Sequence, residues 1–561
     1  MAIHVRLLAT SVAVVALLGV VVGPQASAQQ PSYVYETTIG GYFLPRGTDL
    51  TLDASGNTYV IGSFYENEVA LDVVAAKIAP DGEILWTQFV IAEGHEEPTA
   101  LVLDGDGGLW IAGWTQSSDF PVTAGAYDTT MTHSAAFLMK LDTQDGAILY
   151  STFLDGDHTD RAYGLAINAA GELYVAGYTK STDFPTVNAY QDEPSAPLYV
   201  YQDAFISKFS ADGTQLLYST YFGGYRNDRI VDIALDADEN IVIAGETDAE
   251  DFPLLNPIDS TPRDLFVARL SAEGDELLFG TYFGGEDLDR LFEMELDSGG
   301  NVFLTGPTRS IQFPTTPGAY QQDFVGEING CEIPFGGDYN CEDVFVTKLR
   351  TDGLGILFST YLGGLVVDEG HGLAVGNDGS VFVTGSTSSS DFPGSENSGL
   401  YFISKLSAAG SELEYTFRRY SSNSGGMGIT IGPQGDIYTT GRAEYPAELY
   451  AARLADAPDA ADVAGERRMA SGLSLGSQPN PFHGVARIRF ALQEQGDAHL
   501  AVYDATGRRV RVLHERRTEA GTHTVTWDGT DATGADVPGG VYFYKLDAND
   551  EQATGRTLLI R

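Results

Sequence analysis

The sequence predicts an all-β protein, with a seven-bladed β-propeller followed by a small C-terminal β-sandwich. The chain of 561 residues is rich in glycine (65), tyrosine (29) and phenylalanine (28), a composition typical of short strands joined by tight turns. One unit of alternating apolar residues recurs seven times, which is the signature of a repeat architecture. A run of alternating strands without this unit closes the chain.

The chain begins with a segment typical of a secretory signal peptide. Arg6 is followed by an apolar run over residues 7–22, a Gly-Pro breaker and an Ala-Ser-Ala triplet that ends at Ala28. This order predicts export and cleavage after Ala28, so we assign residues 1–28 to a signal peptide. An uncleaved membrane anchor is the alternative. No later segment is apolar for long enough to predict a transmembrane segment in the mature chain.

Each repeated unit opens with a hairpin such as LDASGNTYVIG, in which two alternating strands flank a turn of Asp, Gly and Asn residues. The seven hairpins end at Gly62, Gly113, Gly177, Gly245, Gly306, Gly385 and Gly441. A third strand with a single basic residue follows, and these bases are Lys77, Lys140, Lys208, Arg269, Lys348, Lys405 and Arg453. Because the chain is strongly acidic, we interpret them as structural cations that pair with nearby carboxylates.

Six units continue into a fourth strand of the LYSTYFGG type, whereas the last unit lacks one. A similar segment, YVYETTIGG at residues 33–41, precedes the first hairpin. Four strands per unit predict one propeller blade per unit. We therefore assign residues 29–455 to a seven-bladed β-propeller whose N-terminal strand, 33–41, completes the last blade and removes a free edge.

The segments LYSTYFGGYRNDR, STDFP and DAFISKFS, together with the hairpin, resemble the SBBP β-propeller repeat of bacterial secreted proteins. The resemblance covers about residues 33–455 and is clearest in the third to sixth units, because the first and last lack the Asp-Phe-Pro element. It implies a propeller in an exported protein and attaches no general enzymatic activity to the repeat.

A second module follows the propeller. Residues 456–476 are rich in Ala and Asp and lack strand periodicity, which predicts a linker. Residues 477–561 contain alternating strands separated by DATG turns, which predict a small antiparallel sandwich. The segments PNPF, VYDATGRRV, WDG and GGVYFYKL resemble the C-terminal sorting domain of type IX secretion cargo and the related FlgD-like, immunoglobulin-like fold. The resemblance implies the type IX secretion machinery as a partner, and a secreted or outer cell-surface protein.

The charge of the chain narrows the classes of partner and source. Asp and Glu number 78 against 32 Lys and Arg, for a net charge of −46, so nucleic acid is excluded as a partner. A surface rich in acids and poor in lysine suits a salty medium, where ions screen self-repulsion. A halophilic or marine source is therefore a hypothesis.

The two cysteines, Cys331 and Cys341, lie in one Gly-rich loop. In an oxidising compartment this spacing predicts a disulfide. Two cysteines without nearby histidines make a poor zinc site, and we assign no metal site and no cofactor.

Meander order in each blade places the loops after its second and fourth strands on one face, which we call the loop face. Variable loops on a rigid scaffold usually carry binding sites. The candidate ligand-binding residues on this face are Asp160, Arg161, Asp228, Arg229, Asp289, Arg290, Asp368, Tyr199 and Tyr201. Because the Asp and Arg positions recur from blade to blade, turn geometry and contacts between blades are the alternative explanation.

The sequence contains no GxSxG or HExxH motif, and His95, His158 and His371 do not share an aligned repeat position. We therefore assign no catalytic residues. The leading hypothesis is a non-enzymatic, secreted or cell-surface binding or adhesion protein with a glycan or protein ligand. The alternatives are an extracellular polysaccharide hydrolase or lyase and a structural surface-layer component.

Overall fold

The computed structural model divides the chain into two compact units, residues 1–457 and 458–561, and each is described by itself. The described residues of the first unit are 31–39, 43–65, 71–195, 200–326, 341–394, 399–419, 426–442 and 449–455. Those of the second are 474–478, 486–492, 495–504, 508–519, 521–538, 540–548 and 551–559. The predicted signal peptide, 1–28, lies outside them. Within these ranges the elements are all strands, and no helix is long and apolar enough to cross a membrane.

The first described strand is β1 (Ser32–Ile39). Sheet 1 contains β2 (Phe43–Leu52), β3 (Thr58–Tyr65), β4 (Leu71–Ile78) and β5 (Ile84–Val90), and sheet 2 contains β6 (Glu96–Leu103), β7 (Gly108–Thr115), β8 (Ala135–Asp142) and β9 (Ile148–Leu154). Sheet 3 contains β10 (Asp160–Ile167), β11 (Leu173–Thr179), β12 (Asp203–Phe209) and β13 (Leu216–Phe222). Sheet 4 contains β14 (Asp228–Leu235), β15 (Ile241–Thr247), β16 (Leu265–Leu270) and β17 (Leu277–Phe283).

Sheet 5 contains β18 (Glu293–Leu296), β19 (Val302–Thr308), β20 (Asp343–Leu349) and β21 (Ile356–Leu362). Sheet 6 contains β22 (Asp368–Val375), β23 (Val381–Thr387), β24 (Tyr401–Leu406) and β25 (Leu413–Arg419). Sheet 7 contains β26 (Gly426–Ile431), β27 (Ile437–Arg442), β28 (Leu449–Ala455) and, at its outer edge, β1.

Sheet 7 joins the two ends of the first unit. The chain's first described strand, β1, pairs antiparallel with β28, and Tyr35 lies opposite Arg453. The other six sheets each use four consecutive strands. Strand β1 therefore supplies the fourth strand that the last repeat lacks, and it covers the edge of β28.

The first strand of each sheet contacts the first strand of the next, in the order β2, β6, β10, β14, β18, β22 and β26, and β26 returns to β2. All pairings within these sheets are antiparallel. The unit is therefore an all-β, propeller-like fold in which the sheets are packed face to face in a closed series.

Alternate side chains of one strand serve the cores on its two sides. On β3, Tyr59 and Ile61 pack with residues of sheet 2, whereas Val60 packs with residues of sheet 7. All three are almost completely buried. Because both faces of an inner strand are covered, the strand is apolar almost throughout rather than at every second residue.

The repeated bases of the third strands are structural cations, as expected from the sequence. Lys140 Nζ lies 2.6 Å from Asp104 Oδ2 and 5.3 Å from the centre of the Trp110 ring. Ion pairs at the same repeat position join Lys77 to Asp53, Arg269 to Asp236 and Lys348 to Asp297. In sheets 3 and 7 the acid lies four residues later, and Lys208 pairs with Glu172 and Arg453 with Asp436. In sheet 6, Lys405 pairs with Glu414.

In the second unit, the described strands are β29 (Ser474–Gln478), β30 (Ala486–Leu492), β31 (Gly496–Asp504), β32 (Arg509–Thr518), β33 (Gly521–Trp527), β34 (Gly540–Ala548) and β35 (Glu551–Leu559). They form a three-stranded sheet, β29-β30-β33, and a four-stranded sheet, β32-β31-β34-β35. Both sheets contribute to one core, with Phe490 and Trp527 from the first and Leu500 and Leu546 from the second. Strand β29 begins at Ser474, inside the stretch 456–476 that the sequence predicts as a linker.

Candidate functional site

The aspartates proposed as ligand-binding residues are inside the loops. Asp160, Asp228, Asp289 and Asp368 are all buried at or just before the first strands of sheets 3 to 6. Oδ2 of each accepts a hydrogen bond from the backbone N–H of the glycine four residues earlier, at 2.8, 2.7, 2.6 and 2.7 Å respectively. These carboxyl groups hold the turn that enters each first strand, and they lie inside the loops, so their role in ligand binding stays a prediction.

The Asp-Phe-Pro elements have a structural role of the same kind. Asp183 Oδ1 accepts a hydrogen bond of 2.7 Å from the backbone N–H of Asp157, and Ser181 Oγ donates to Asp160 Oδ2 at 2.8 Å. The ring of Phe184 is buried against Phe205. The recurrence of these residues therefore reflects loop geometry, which is the alternative that the sequence left open.

Burial changes the titration of these aspartates. Desolvation raises the pKa of Asp160 to about 7 and that of Asp228 to about 8, and it raises the pKa of both Asp289 and Asp368 to about 6. Within the described structure, Oδ1 of Asp160, Asp228 and Asp368 has no hydrogen-bond partner. Burial thus stabilises the neutral form of these carboxyl groups relative to that of exposed aspartates.

The arginines that follow three of these aspartates have different surroundings. Arg290 Nη2 lies 2.9 Å from Glu342 Oε2 and 3.2 Å from Glu369 Oε1. Arg309 also pairs with Glu342, at 2.7 Å. His371, together with Arg290, lowers the pKa of Glu369 to about 2. We call these five residues the Arg290 network, and they join sheets 5 and 6 through ion pairs.

Arg161 has no such partners. Its guanidinium carbon lies 3.8 Å from the centre of the Trp114 ring, which is a stacking distance. Among the described residues, no carboxylate lies within ion-pair distance of Arg161, and its Nε is buried without a hydrogen-bond partner. The positive charge of Arg161 is therefore met by an aromatic ring and not by an acid.

The difference between the two arginines comes from two repeat positions. Glu342 accepts a backbone hydrogen bond of 2.7 Å from Asp368 through its carbonyl oxygen, and Gln202 accepts the equivalent bond of 2.8 Å from Asp228. Gln202 thus stands where sheet 5 has Glu342. Arg229 in turn follows Asp228, as Glu369 follows Asp368. Both acids that hold Arg290 are absent from the equivalent positions around Arg161.

Aromatic side chains extend the site toward sheet 4. The Tyr163 ring lies 6.0 Å from the Tyr178 ring and 5.3 Å from the guanidinium carbon of Arg229. Arg229 is paired with Glu246 at 2.9 Å. Burial raises the pKa of Tyr178 to about 12, so its hydroxyl is neutral and can donate a hydrogen bond. We call Trp114, Arg161, Tyr163, Tyr178 and Arg229 the Arg161 cluster.

Further groups on the loop face surround the cluster. Tyr225 is 54% exposed, and its ring lies 6.2 Å from that of Tyr201. Lys180 follows β11 directly, and Arg226 follows Tyr225 on an exposed loop. In the part of the chain that the structure describes, neither base has a carboxylate within ion-pair distance. Tyr199 lies outside the described residues.

The sequence identified Arg161, Arg229 and Tyr201 as candidates, but it missed Trp114, Tyr163 and Tyr178. Trp114 and Tyr178 end second strands, and Tyr163 lies at an irregularity of β10 between Ala162 and Gly164. Their positions could have been found by aligning the residues next to Asp-Arg across the repeats. Their contact with the arginines depends on neighbouring sheets and could not.

The cysteines and the possible metal ligands are two other features that could form a site. Cys341 is buried and disulfide-bonded, while Cys331 lies outside the described residues, so the 331–341 pairing stays a prediction. No group of three or more His, Cys, Asp or Glu residues in the described ranges is arranged to hold a metal ion.

A shallow depression of about 290 Å³ lies between the first hairpins of sheets 6 and 7, on the face opposite the loop face. Asp378, Lys405 and Gln434 are among its lining residues. Its cation, Lys405, is already paired with Glu414 at 3.3 Å. The Arg161 cluster, whose arginine has no acid partner, is therefore the stronger candidate.

Two family models match parts of the chain. The model described as a β-propeller repeat, SBBP, matches residues 357–393, and that of the FlgD Ig-like domain matches residues 477–552. The resemblances to the SBBP repeat and to the FlgD-like domain are confirmed over these ranges, and the type IX sorting role stays a prediction. A β-propeller repeat and a FlgD-like domain fit an extracellular or surface protein.

Other similarities are more distant. The regulatory protein FlaEY of Caulobacter vibrioides is 26% identical over 199 residues, which are 35% of this chain. The chain spans about a fifth of the length of that curated relative, since the match covers 20% of it.

Three solved structures match the chain weakly. A protein of unknown function from Dyadobacter fermentans has a TM-score of 0.38 at 11% identity, over 76% of this chain and 99% of its own. A gluconolactonase from Xanthomonas campestris has a TM-score of 0.31 at 13% identity, over 76% and 98%. An acylaminoacyl peptidase has a TM-score of 0.39 at 10% identity, over 81% and 59%. At these TM-scores the likenesses carry no argument about function.

Proposed function

We propose that this protein is a secreted or cell-surface binding protein, whose loop face holds a ligand over sheets 2 to 4. The unpaired guanidinium of Arg161, stacked on Trp114, carries the proposal. In a chain with a net charge of −46, a cation without an acid partner is available to a ligand. Stacked aromatic and arginine side chains are also the groups that dominate binding energy at recognition sites.

A seven-bladed β-propeller is the scaffold in this proposal. The seven four-stranded sheets of the described residues and the closed series of contacts between their first strands support it. A rigid scaffold of this kind holds loop side chains in place without a large entropic cost on binding. The ligand on the loop face is a glycan or a protein.

Export through the type IX secretion machinery is the second part of the proposal. The FlgD Ig-like match over residues 477–552 and the common core of the two C-terminal sheets support an immunoglobulin-like sorting domain there. We expect that deletion of residues 474–561 in a bacterium with this secretion system leaves the protein inside the cell envelope. Immunoblotting of cell and medium fractions measures the result. Secretion of the truncated chain at the normal level would contradict the sorting role.

Binding is favoured over catalysis by the chemistry of the site. Within the described residues, Glu246 is engaged by Arg229 of the Arg161 cluster, and Asp160, which precedes Arg161, is buried. Paired carboxylates of the kind used in glycoside hydrolysis are therefore not presented beside Arg161 by these residues. A lyase or hydrolase stays the rival function because a bound polymer is also a substrate.

The proposal is tested by a polysaccharide pull-down with the mature chain, residues 29–561, followed by analysis of the recovered glycans. We expect intact glycans to be retained, and Tyr163→Ala to weaken retention about tenfold through loss of a stacking surface. Tyr190→Ala is the control, because Tyr190 packs on Phe222 at the side of sheet 3. Recovery of cleaved glycans would indicate a hydrolase or lyase instead of a binding protein. If no glycan is retained, a protein partner or a structural role is favoured.

A further inference from the structure

We infer that the ligand of the Arg161 cluster is an acidic polysaccharide, and that a uronate carboxylate of this polymer binds the Arg161 guanidinium. The inference rests on the proposed function and names its ligand class. It starts from the contrast between Arg161 and eight other described arginines of the first unit, each of which has an acid partner. Acids pair with Arg229, Arg263, Arg269, Arg290, Arg309, Arg350, Arg419 and Arg453. Arg226 and Arg418 also lack an acid partner within the described residues, but Arg418 donates to the carbonyl oxygens of Gly399 and Ser389.

The orientation of Arg161 leaves its donors for a ligand. Trp114 covers one face of the guanidinium, so the N–H groups at its edge are the groups that face an incoming molecule. Its Nε is buried and has no acceptor among the described residues. Because Nε is enclosed, we expect a ligand carboxylate to bind end-on, at the two terminal Nη groups of the guanidinium.

A carboxylate matches this arrangement better than a neutral group. The guanidinium presents parallel N–H donors in a planar fork that fits the two oxygens of a carboxylate. The stacked Trp114 ring also holds the fork in one plane, which lowers the entropic cost of the bidentate contact. The expected contact therefore has the form of the Arg290 network, with the acid supplied by the ligand.

The surroundings of Arg161 fit a saccharide chain. Tyr178 lies opposite Arg161 in the strand pair, and its ring lies 6.0 Å from that of Tyr163. Aromatic rings with a polar hydroxyl suit a partner with both apolar C–H faces and hydroxyl groups. The neutral hydroxyl of Tyr178 adds a hydrogen-bond donor. A uronate residue combines a ring, hydroxyls and a carboxylate in one unit.

The positive charges on both sides of sheet 3 fit a polymer. Lys180 begins the loop after β11, and Arg226 lies in the loop between β13 and β14. Neither is paired with an acid within the described residues, so each can receive a further carboxylate of an extended chain. At physiological salt the Debye length is about 8 Å, which screens the acids elsewhere on the protein. Asp248 and Asp251, which accept hydrogen bonds from Asn227 and Tyr225, lie beside Arg226 and oppose the polymer there.

The test uses the full mature chain and two forms of one polymer, polygalacturonate and its methyl ester, in biolayer interferometry at physiological salt. We expect polygalacturonate to bind at least about tenfold more tightly than the ester, because esterification removes the carboxylate and little else. Poly-glutamate serves as the acidic peptide probe and a neutral glucan as the uncharged probe.

Matched variants locate the contact. Arg161→Gln is expected to weaken polygalacturonate binding at least about tenfold, and Arg161→Lys to restore only part of it, because lysine keeps the charge but lacks the fork. Arg350→Gln is the control with the same change of charge, since Arg350 lies on a hairpin of the opposite face, paired with Asp352. Thermal unfolding of each variant verifies that it is folded.

The outcomes separate the inference from the proposed function. Equal binding of acid and ester, or binding of the neutral glucan alone, overturns the carboxylate contact but keeps a glycan-binding protein. If poly-glutamate binds more tightly than polygalacturonate, the ligand is an acidic peptide and not a polysaccharide. An unchanged affinity in Arg161→Gln moves the ligand away from this cluster, and failure of all four probes overturns the inference while the wider pull-down decides the proposed function.

Discussion

Arg161 and Arg290 occupy the same position of the repeat in sheets 3 and 5, yet only one of them is neutralised by the protein. Arg290 lies between Glu342 and Glu369, whereas Arg161 lies on the ring of Trp114. The backbone around them is alike, since both follow a buried aspartate that holds the entering turn. Equivalent positions of one repeat thus carry an arginine that acids neutralise in one sheet and an arginine that stacks on an aromatic ring in another, where we propose ligand binding.

This comparison teaches that repeat position and function are separable in a propeller. Two positions distinguish the surroundings of the two arginines. Gln202 and Arg229 occupy, around Arg161, the positions that two glutamates occupy around Arg290. Neither exchange alters the strand pairing, because the backbone hydrogen bonds at these positions are kept. A site can therefore be opened or closed without a change of fold.

The largest expected effects are on the pH dependence of stability, where two acids beside these arginines should act in opposite directions. Asp160, next to Arg161, has its pKa raised to about 7, so the folded state keeps a proton that the unfolded state releases above about pH 4. The free energy of unfolding then falls as pH rises from about 4 to about 7, by up to about 1.4 kcal/mol per pH unit. Urea unfolding across this range should show Asp160→Asn flattening the decline.

Glu369, beside Arg290, should act in the opposite direction. Its pKa is lowered to about 2, so only the unfolded state takes up a proton as pH falls from about 4.5 toward 2. Its contribution is present above the unfolded pKa and is lost toward low pH. Glu369→Gln should remove this acid-side loss in the same urea series. Identical pH profiles for the two variants would break the comparison.

Removal of each arginine should affect stability unequally. Arg290→Ala leaves Glu369 with His371 and Glu342 with Arg309, and we expect the free energy of unfolding to fall by about 1–3 kcal/mol. Arg161→Ala loses a stacking contact of about 1 kcal/mol or less. Chemical denaturation of both variants measures the difference. Equal losses would mean that Arg161 has a structural partner after all.

A double substitution should convert the recognition site into an ion-pair network. Gln202→Glu with Arg229→Glu places acids at the positions that Glu342 and Glu369 occupy around Arg290. We expect the new acids to pair with Arg161 and to weaken polygalacturonate binding about tenfold, which corresponds to about 1.4 kcal/mol. Thr214→Glu, on a hairpin of the opposite face, controls for added charge. Binding at the level of the unmodified protein would show that Arg161 does not receive the carboxylate.

The smallest expected effect is that of salt. Ion pairs of partly exposed side chains are weakened by screening, typically by a few tenths of a kcal/mol. The stability difference between the unmodified protein and Arg290→Ala should therefore shrink between low salt and 1 M NaCl, while that for Arg161→Ala stays constant. Denaturation at several salt concentrations decides between these outcomes. A salt-dependent difference for Arg161→Ala would indicate an ion pair at Arg161.

The sequence predicted much of the fold because the same pattern of strands and turns recurs in seven units. The hairpin turn with Asp53 and Gly56 depends only on residues within the turn. Two backbone N–H groups donate to Asp53 Oδ1 at 2.9 Å, and Gly56 takes a positive φ of 79°, which glycine adopts readily. The repeated bases could be read as structural cations because each lies near an acid in its own sheet. Family matches confirmed the repeat and the FlgD-like domain where they apply.

The site was predicted only in part. Arg161, Arg229 and Tyr201 were named from their loops, but the aspartates named with them are buried in the turns, and the tyrosine named with Tyr201 lies outside the described residues. The aspartates and the arginines both recur from unit to unit, so recurrence alone did not distinguish them. A repeated aspartate and a repeated arginine differ in exposure, and exposure depends on how neighbouring sheets pack.

By itself, therefore, the sequence determined the repeat, the strand alternation, the turn chemistry and the acidic balance of this protein, because each depends on residues close together in the chain. Only the tertiary structure decided that Arg290 has two acid partners and that Arg161 has none among the described residues. The partners of Arg290 come from residues 52 and 79 positions away, and Trp114, which stacks on Arg161, belongs to the preceding sheet. Contacts across such separations follow from the packing of sheets against one another, which local patterns do not encode.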